Sequence, residues 1–302
     1  MFLKQVDYSE NPFWKYLLGS FVIIIFSVIG QLPLNYVVIE AGHAAPGNDP
    51  MEILRNLDLD KNLQLFLLLI PFASGFLGFW FVIRKLNKRS FLSVTTSRPK
   101  IDWSRVLYAF LLWGSVSVML IIGDYFISPE SYEWNFNFKS FSLLFIIAVA
   151  LIPIQTTLEE YIFRGYLMQG FAGMFKNRWA PLLMSSIVFG SLHLFNPEVE
   201  KLGYGIMIYY VGTGLFLGIL TLMDEGIELA IGFHAANNLF TALLVTSSWT
   251  AFQTESILID ISEPSLGIEL VLSLVVLYPL FLFIMSDKYA WSQWKSKLTS
   301  KI

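Results

Sequence analysis

A chain of 302 residues that is 55% hydrophobic and only 14% charged falls well short of the roughly 25% charge of a soluble domain. That excludes a soluble globular protein and points to a polytopic membrane protein. The net charge of −3 gives no support for nucleic-acid binding, and the absence of cysteine excludes disulfides, thiolate catalysis and thiolate metal sites.

Hydrophobic runs use nearly the whole length, so 1–302 reads as a single membrane domain with short loops. The first run, about 13 to 39, is too long for a signal-peptide core and has no small-residue cleavage site after it. Further runs cover about 63–83, 106–127, 141–163, 179–195, 204–223, 227–245 and 267–285. Each is near the roughly 20 residues that a helix needs to cross the hydrocarbon core. None shows the alternation of a barrel strand, and only helices or closed barrels satisfy the backbone in lipid. The expected class is therefore all-α, with about eight transmembrane helices. Trp14, Tyr16, Trp103, Trp179, Tyr289, Trp291 and Trp294 fall near run ends, as an interfacial aromatic belt would. Gly214-x-x-x-Gly218 in the sixth run is expected to serve close helix packing. The tail from Lys288 mixes aromatics with lysines and is expected on the membrane surface.

Loop charges give the orientation. Arg84, Lys85, Lys88, Arg89, Arg98, Lys100 and Arg105 follow the second run. Arg164, Lys176 and Arg178 follow the fourth, and Lys288, Lys295, Lys297 and Lys301 lie in the tail. Alternate loops are acidic: Glu40, Asp49, Glu52, Asp58 and Asp60, then Asp124, Glu130 and Glu133, then Glu255, Asp260 and Glu263. By the positive-inside rule both termini are cytoplasmic. One loop dissents, because Asp224, Glu225 and Glu228 fall among the basic ones.

Chemistry concentrates in the fourth run, which ends in Leu158-Glu159-Glu160-Tyr161-Ile162-Phe163-Arg164. Carboxylates within a membrane segment cost at least about 2.5–3.5 kcal/mol each on insertion scales, so they need partners. Glu160 and Arg164 stand four apart in the favourable ion-pair order. Glu159 is turned about 100° from Glu160 and is free for another task. Of three histidines, His43 reads as a solvated loop residue, while His193 and His234 lie inside predicted spans. Phe189 and His193 share a helix face, as do His234 and Asn238. His193 would sit about 14 residues, or roughly 21 Å, from the basic end of its span, a depth that demands a tilted or late-starting fifth helix. A lone intramembrane His or Asn is often interhelical glue worth about 1 kcal/mol. A spare glutamate, two histidines and an amide on three spans favour a reaction site, with both imidazoles and the amide converging on Glu159.

The ordered set Glu159-Glu160-x-x-x-Arg164, Phe189-x-x-x-His193 and His234-x-x-x-Asn238 resembles the three motifs of the CPBP (Abi) intramembrane proteases, which include the type II CAAX prenyl endopeptidases. The matching core covers 141–245. The resemblance implies peptide-bond hydrolysis within the bacterial cytoplasmic membrane, at a site open to the cytoplasm. The substrate would be a membrane-associated or lipidated, even prenylated, protein or peptide. Glu159 would activate water, and His193, His234 and Asn238 would assist and stabilise the oxyanion, with Glu160, Arg164 and Phe189 in support. Family members are commonly labelled metalloproteases, and Glu159, His193 and His234 could form a zinc site. The sequence lacks H-E-x-x-H, and a metal-free glutamate mechanism is the preferred expectation. A proton-coupled carrier and a non-catalytic bacteriocin-immunity-type protein are the competing readings. The absence of an internal repeat weighs against the carrier.

Overall fold

The computed structural model describes residues 1–40 and 59–302. His43 and the acidic Asp49, Glu52 and Asp58 lie outside the described residues. Among those described, six helices are long and apolar enough to cross a membrane. They are Phe13–Gly30, Lys61–Leu86, Trp103–Ile127, Phe138–Phe175, Tyr204–Asp224 and Leu270–Lys288. The chain is thus an α-helical polytopic membrane protein. The other two expected spans also form helices, Trp179–Ser191 and Glu228–Leu244, but at 13 and 17 residues they are shorter than the other six.

Taken in order, α1 spans Phe13–Gly30 and α2 spans Leu32–Glu40. They replace the single first span expected from hydropathy. Pro33 explains the break, since its ring clashes with the preceding turn and it has no N–H to donate. Gly30 fixes the position, because a Cβ there would stand 2.8 Å from the Pro71 backbone. Helix α3 spans Lys61–Phe81, and a π turn, Val82–Leu86, extends it; α4 is the short Phe91–Thr95 and α5 is Trp103–Ile127. Helix α6, Phe138–Glu160, runs through a seven-residue π turn, Tyr161–Leu167, straight into α7, Met168–Phe175. Then follow α8 (Trp179–Ser191), α9 (Pro197–Leu202), α10 (Met207–Asp224) and α11 (Glu228–Leu244). The last span is α12 (Ile268–Leu272), a π turn and α13 (Tyr278–Lys288), and α14 (Trp294–Thr299) closes the chain.

Three short strands that hydropathy did not foretell cap one end. Tyr132–Trp134 (β1) pairs antiparallel with Leu258–Asp260 (β3), and β3 pairs in parallel with Val245–Ser247 (β2). The loop charges explain the opposite end. Asp224 forms ion pairs with both Arg98 and Arg105 and accepts from the Trp291 indole, and Glu225 lies 3.6 Å from Arg178. Lys297 Nζ donates to the Met223 carbonyl at 2.8 Å, and the Phe2 backbone N–H donates to Glu225. The acidic loop that dissented is therefore the counter-charge of the basic ones. These contacts gather both termini and every Arg- and Lys-rich connection at one end of the bundle.

Side chains such as Phe21 and Ile25 on α1, Leu111 and Met119 on α5, and Phe283 on α13 stay exposed, the pattern of surfaces that face acyl chains. Inside, small residues let helices close up. A Cβ at Gly214 would press on the Ser186 backbone at 3.0 Å, and one at Gly218 would meet Leu182. The Gly-x-x-x-Gly pair thus seats α10 on α8. Gly232 brings α11 against α5, where an added Cβ would stand 2.1 Å from the Val106 carbonyl oxygen. That contact sets the height of His234, two residues on.

Candidate active site

The two glutamates sit where α6 passes into its π turn, a local widening that often marks functional positions in helices. Neighbouring residues on a helix diverge, and here the divergence separates two environments. Glu160 and Arg164 are fully buried. Arg164 Nη1 donates to Glu160 Oε1 at 2.9 Å, while Nη2 donates to the Gly214 carbonyl at 3.3 Å, and the guanidinium lies 4.3 Å from the centroid of the Phe189 ring. This one side chain joins α6, α8 and α10. Glu159 points into a cavity, with its side chain 15% exposed.

His234 comes up from α11 and stands between the two acids. Its Nδ1 donates to Glu160 Oε1 at 2.7 Å, and its Nε2 faces Glu159 Oε2 at 3.8 Å, close enough for attraction but beyond hydrogen-bond length. The other oxygen of Glu159 is taken, since Gln155 Nε2 donates to Oε1 at 2.6 Å. Gln155 in turn accepts from Asn238 Nδ2 at 3.2 Å. Asn237 closes the chain, donating to Asn238 and accepting from the Trp113 indole. Two adjacent acids thus have distinct roles. Glu160 is held by a cation and an imidazole, and Glu159 keeps one oxygen, Oε2, without a hydrogen bond to a described residue.

His193 differs from its predicted place. Helix α8 stops at Ser191, and His193 lies in the turn beyond it rather than inside a span. The helix starts at Trp179 as expected rather than late, so its early end changes the backbone at His193 and not its distance from the basic end. The imidazole Nδ1 donates to the Phe189 carbonyl at 2.9 Å, which leaves Nε2 free, and the ring stacks on Tyr210 at 4.3 Å. Phe189 therefore serves both motifs at once, with its ring under Arg164 and its carbonyl on His193.

Glu159, His193, His234, Asn237 and Asn238 all line one cavity of about 830 Å³. An apolar branch runs between α1, α3 and α6, past Ile23, Ile24, Leu68, Phe72 and Ile162. A polar branch continues past Tyr210 and Glu198 to Thr246, Ser247, Trp249 and Asp260, at the strand end of the molecule. No side chain of the basic-end loops lines the cavity among the described residues.

The expected convergence of two imidazoles and an amide on Glu159 is therefore looser than the motif pattern suggested. Only His234 faces it directly, and that ring bonds Glu160 as well. Asn238 reaches Glu159 through Gln155, and His193 shares the cavity. Gln155 was missed, although its position four residues before Glu159 on one helix face carried the signal. Tyr210 carried none, because an aromatic in an apolar run reads as packing. A zinc ion would need three converging ligands. No group of three His, Asp or Glu side chains able to hold a metal forms among the described residues. As placed, two of the three expected ligands face each other, Glu159 and His234, while His193 lines the same cavity apart from them.

A family model described as type II CAAX prenyl endopeptidase Rce1-like matches residues 139–240, the stretch that holds all three motifs. The chain is also similar to "Uncharacterized protein YyaK" of Bacillus subtilis (strain 168), at 30% identity over 249 residues. That match covers 81% of this chain and 82% of the relative. No solved structure matches the chain significantly.

Proposed function

The chain belongs to the Rce1-like family of type II CAAX prenyl endopeptidases, and from that membership and the geometry of the site we infer that it hydrolyses a peptide bond of a membrane-associated substrate with Glu159 as general base. The observation that carries this reading is the His234 ring fixed between two carboxylates of different standing. Glu160, tied to Arg164, fixes Nδ1 of the ring. That leaves Nε2 and the free Oε2 of Glu159 facing the same space.

In the first step Glu159 Oε2 takes a proton from water as the water oxygen bonds to the carbonyl carbon. The Asn238 amide is placed to donate to the oxyanion, as is Nε2 of His234 when that ring carries a proton on both nitrogens, and one such donor is worth about 3 kcal/mol where it acts. Collapse then breaks the C–N bond. The proton held on Glu159 passes to Nε2 of His193, and from there to the leaving nitrogen. Products are one carboxylate and one ammonium, the acid proton having passed to the amine, and every group returns to its starting state. The apolar branch beside Leu68 and Phe72 suits the lipid-facing part of a membrane peptide or its attached chain.

The test is cleavage by purified protein of membrane-anchored peptides, one set prenylated and one unmodified, before and after treatment with 1,10-phenanthroline. The expected result is cleavage that survives the chelator. Loss of cleavage on chelation, restored by added zinc, would replace the glutamate mechanism with a metal-dependent one.

By the positive-inside rule, the end rich in lysine and arginine would face the cytoplasm. The polar branch of the cavity leads to the strand end, so with that orientation a polypeptide enters from the opposite side of the membrane, in contrast to the cytoplasmic opening expected from the family resemblance. A cysteine-free chain makes this easy to check. In intact cells a membrane-impermeant maleimide is expected to label Ser262→Cys, beside β3, and to spare Ser296→Cys, in α14, until the membrane is opened. The reverse pattern overturns the orientation.

A further inference from the structure

The mechanism uses one end of the cavity and leaves the other unexplained. At the strand end, three buried polar atoms have no hydrogen-bond partner among the described residues: Glu198 Oε2, Ser247 Oγ and Trp249 Nε1. All three residues line the cavity that holds Glu159 and His234. Buried polar atoms are satisfied in the great majority of cases, because each one left bare costs about 1–3 kcal/mol. Three in one place therefore point to a group that arrives with a ligand.

The chemistry of that group follows from the set. Glu198 Oε1 accepts from the Ala251 backbone N–H at 2.9 Å, which orients the carboxylate and turns Oε2 to the cavity. No described Lys, Arg or His forms an ion pair with Glu198, whereas Glu160 pairs with both Arg164 and His234. Ser247 is 5% exposed and offers a hydroxyl that can accept. Trp249 adds an aromatic ring, whose face attracts cations. Glu198 Oε2 and Ser247 Oγ can both accept from a cationic group with several N–H donors, while the Trp249 Nε1–H, itself a donor, is left for a carbonyl of the same peptide.

We propose that Glu198, Ser247 and Trp249 form a specificity subsite that takes the ammonium or guanidinium of a basic side chain of the peptide substrate. The proposal rests on the endopeptidase reading for the word substrate, but the site itself stands on geometry. Its place suits the role. Val245, at the start of β2, lies eleven residues beyond His234, roughly 16 Å along the helix direction, a span of several residues of extended peptide. The turn that carries His193 leads directly into α9, where Glu198 sits in the first helical turn, and is closed by the Asn196 N–H donating to the His193 carbonyl at 3.0 Å. Occupancy of the subsite would thus set both the register of the peptide and the position of the imidazole.

The experiment uses the full-length chain with Glu159→Gln, which removes cleavage, in nanodiscs. The probes are palmitoylated peptides in which one lysine moves along a neutral sequence, each matched by a norleucine and a glutamate version. At one position the lysine peptide is expected to bind about tenfold tighter than the norleucine peptide, the size of a charge-assisted hydrogen bond. Adding Glu198→Gln removes that preference, and Glu198→Lys turns it toward glutamate. Glutamine keeps an oxygen for the Ala251 N–H, so the unfolding temperature should hold. Should it fall, Ser247→Ala gives an independent reading, a loss of several-fold for lysine alone. Equal binding of lysine and norleucine peptides at every position overturns the subsite, as does a lysine preference that survives Glu198→Gln. Hydrolysis by the wild-type chain is read separately on the same peptides. Preference without hydrolysis overturns the endopeptidase reading alone, hydrolysis without preference overturns the subsite alone, and no binding of any peptide overturns the subsite.

Discussion

Glu159→Gln lowers the rate of peptide hydrolysis by about 10²–10⁴-fold, the contribution of a positioned general base, and leaves the fold intact. Glutamine has the same shape and retains an oxygen for the Gln155 amide, so the chain from Asn237 through Asn238 to position 159 survives. What disappears is the proton acceptor at Oε2. Each tenfold loss is about 1.4 kcal/mol of barrier, so the change is about 3–5.5 kcal/mol. Cleavage of anchored peptides measures the rate, and thermal unfolding in the same detergent measures the fold. The readings that compete with hydrolysis part company here. A carrier with this substitution loses pH-driven flux, and a binding protein keeps its phenotype. Cleavage within tenfold of wild type removes Glu159 from the role of base.

Arg164→Ala is expected to act on stability instead. The guanidinium is fully buried and is the counter-charge of Glu160. Removing one partner of such a pair leaves a charge stranded in a low-dielectric interior and costs about 3–5 kcal/mol. Contacts to the Gly214 carbonyl and the Phe189 ring go with it, loosening α6 from α10 and α8. Little folded protein should be recovered after extraction. Replacing both charges, as Glu160→Leu with Arg164→Met, removes the stranded charge and restores folding, because apolar substitutes for a buried ion pair are often neutral or better. Activity does not return with the fold, since His234 has lost the acceptor that fixes its Nδ1. Recovery of both stability and cleavage in the double variant would mean that Glu160 only balances Arg164.

These two expectations differ in how far each was legible in the chain. The Glu160–Arg164 pair is local, four residues apart on one helix, and could be read from spacing. Gln155 beside Glu159 was equally local and was overlooked, because an amide in an apolar run does not announce itself as charge does. The bond from His234 to Glu160 joins residues 74 apart in the chain. Periodicity puts each on a face, but it cannot say that the faces meet. His193 illustrates another limit. Hydropathy carried the fifth span on to about residue 195, since Leu192, Leu194 and Phe195 are apolar, yet the helix ends at Ser191 and those side chains sit exposed in a turn. Hydropathy records preference for lipid and not backbone geometry, and a turn that faces acyl chains looks the same as a helix. The three-residue strands β1, β2 and β3 are too short to leave any alternation. The dissenting loop charges have a local explanation. The acids at 224, 225 and 228 contradicted the sign of their side and proved to be the partners of Arg98, Arg105 and Arg178.

The most direct measurement is mass spectrometry of the products when purified wild-type and Glu159→Gln proteins act on an anchored peptide in water enriched in ¹⁸O. Attack by water that Glu159 activates places one ¹⁸O in the new carboxylate for the wild type and leaves the peptide whole for the variant. Equal cleavage by both proteins, or cleavage by neither, contradicts the assignment.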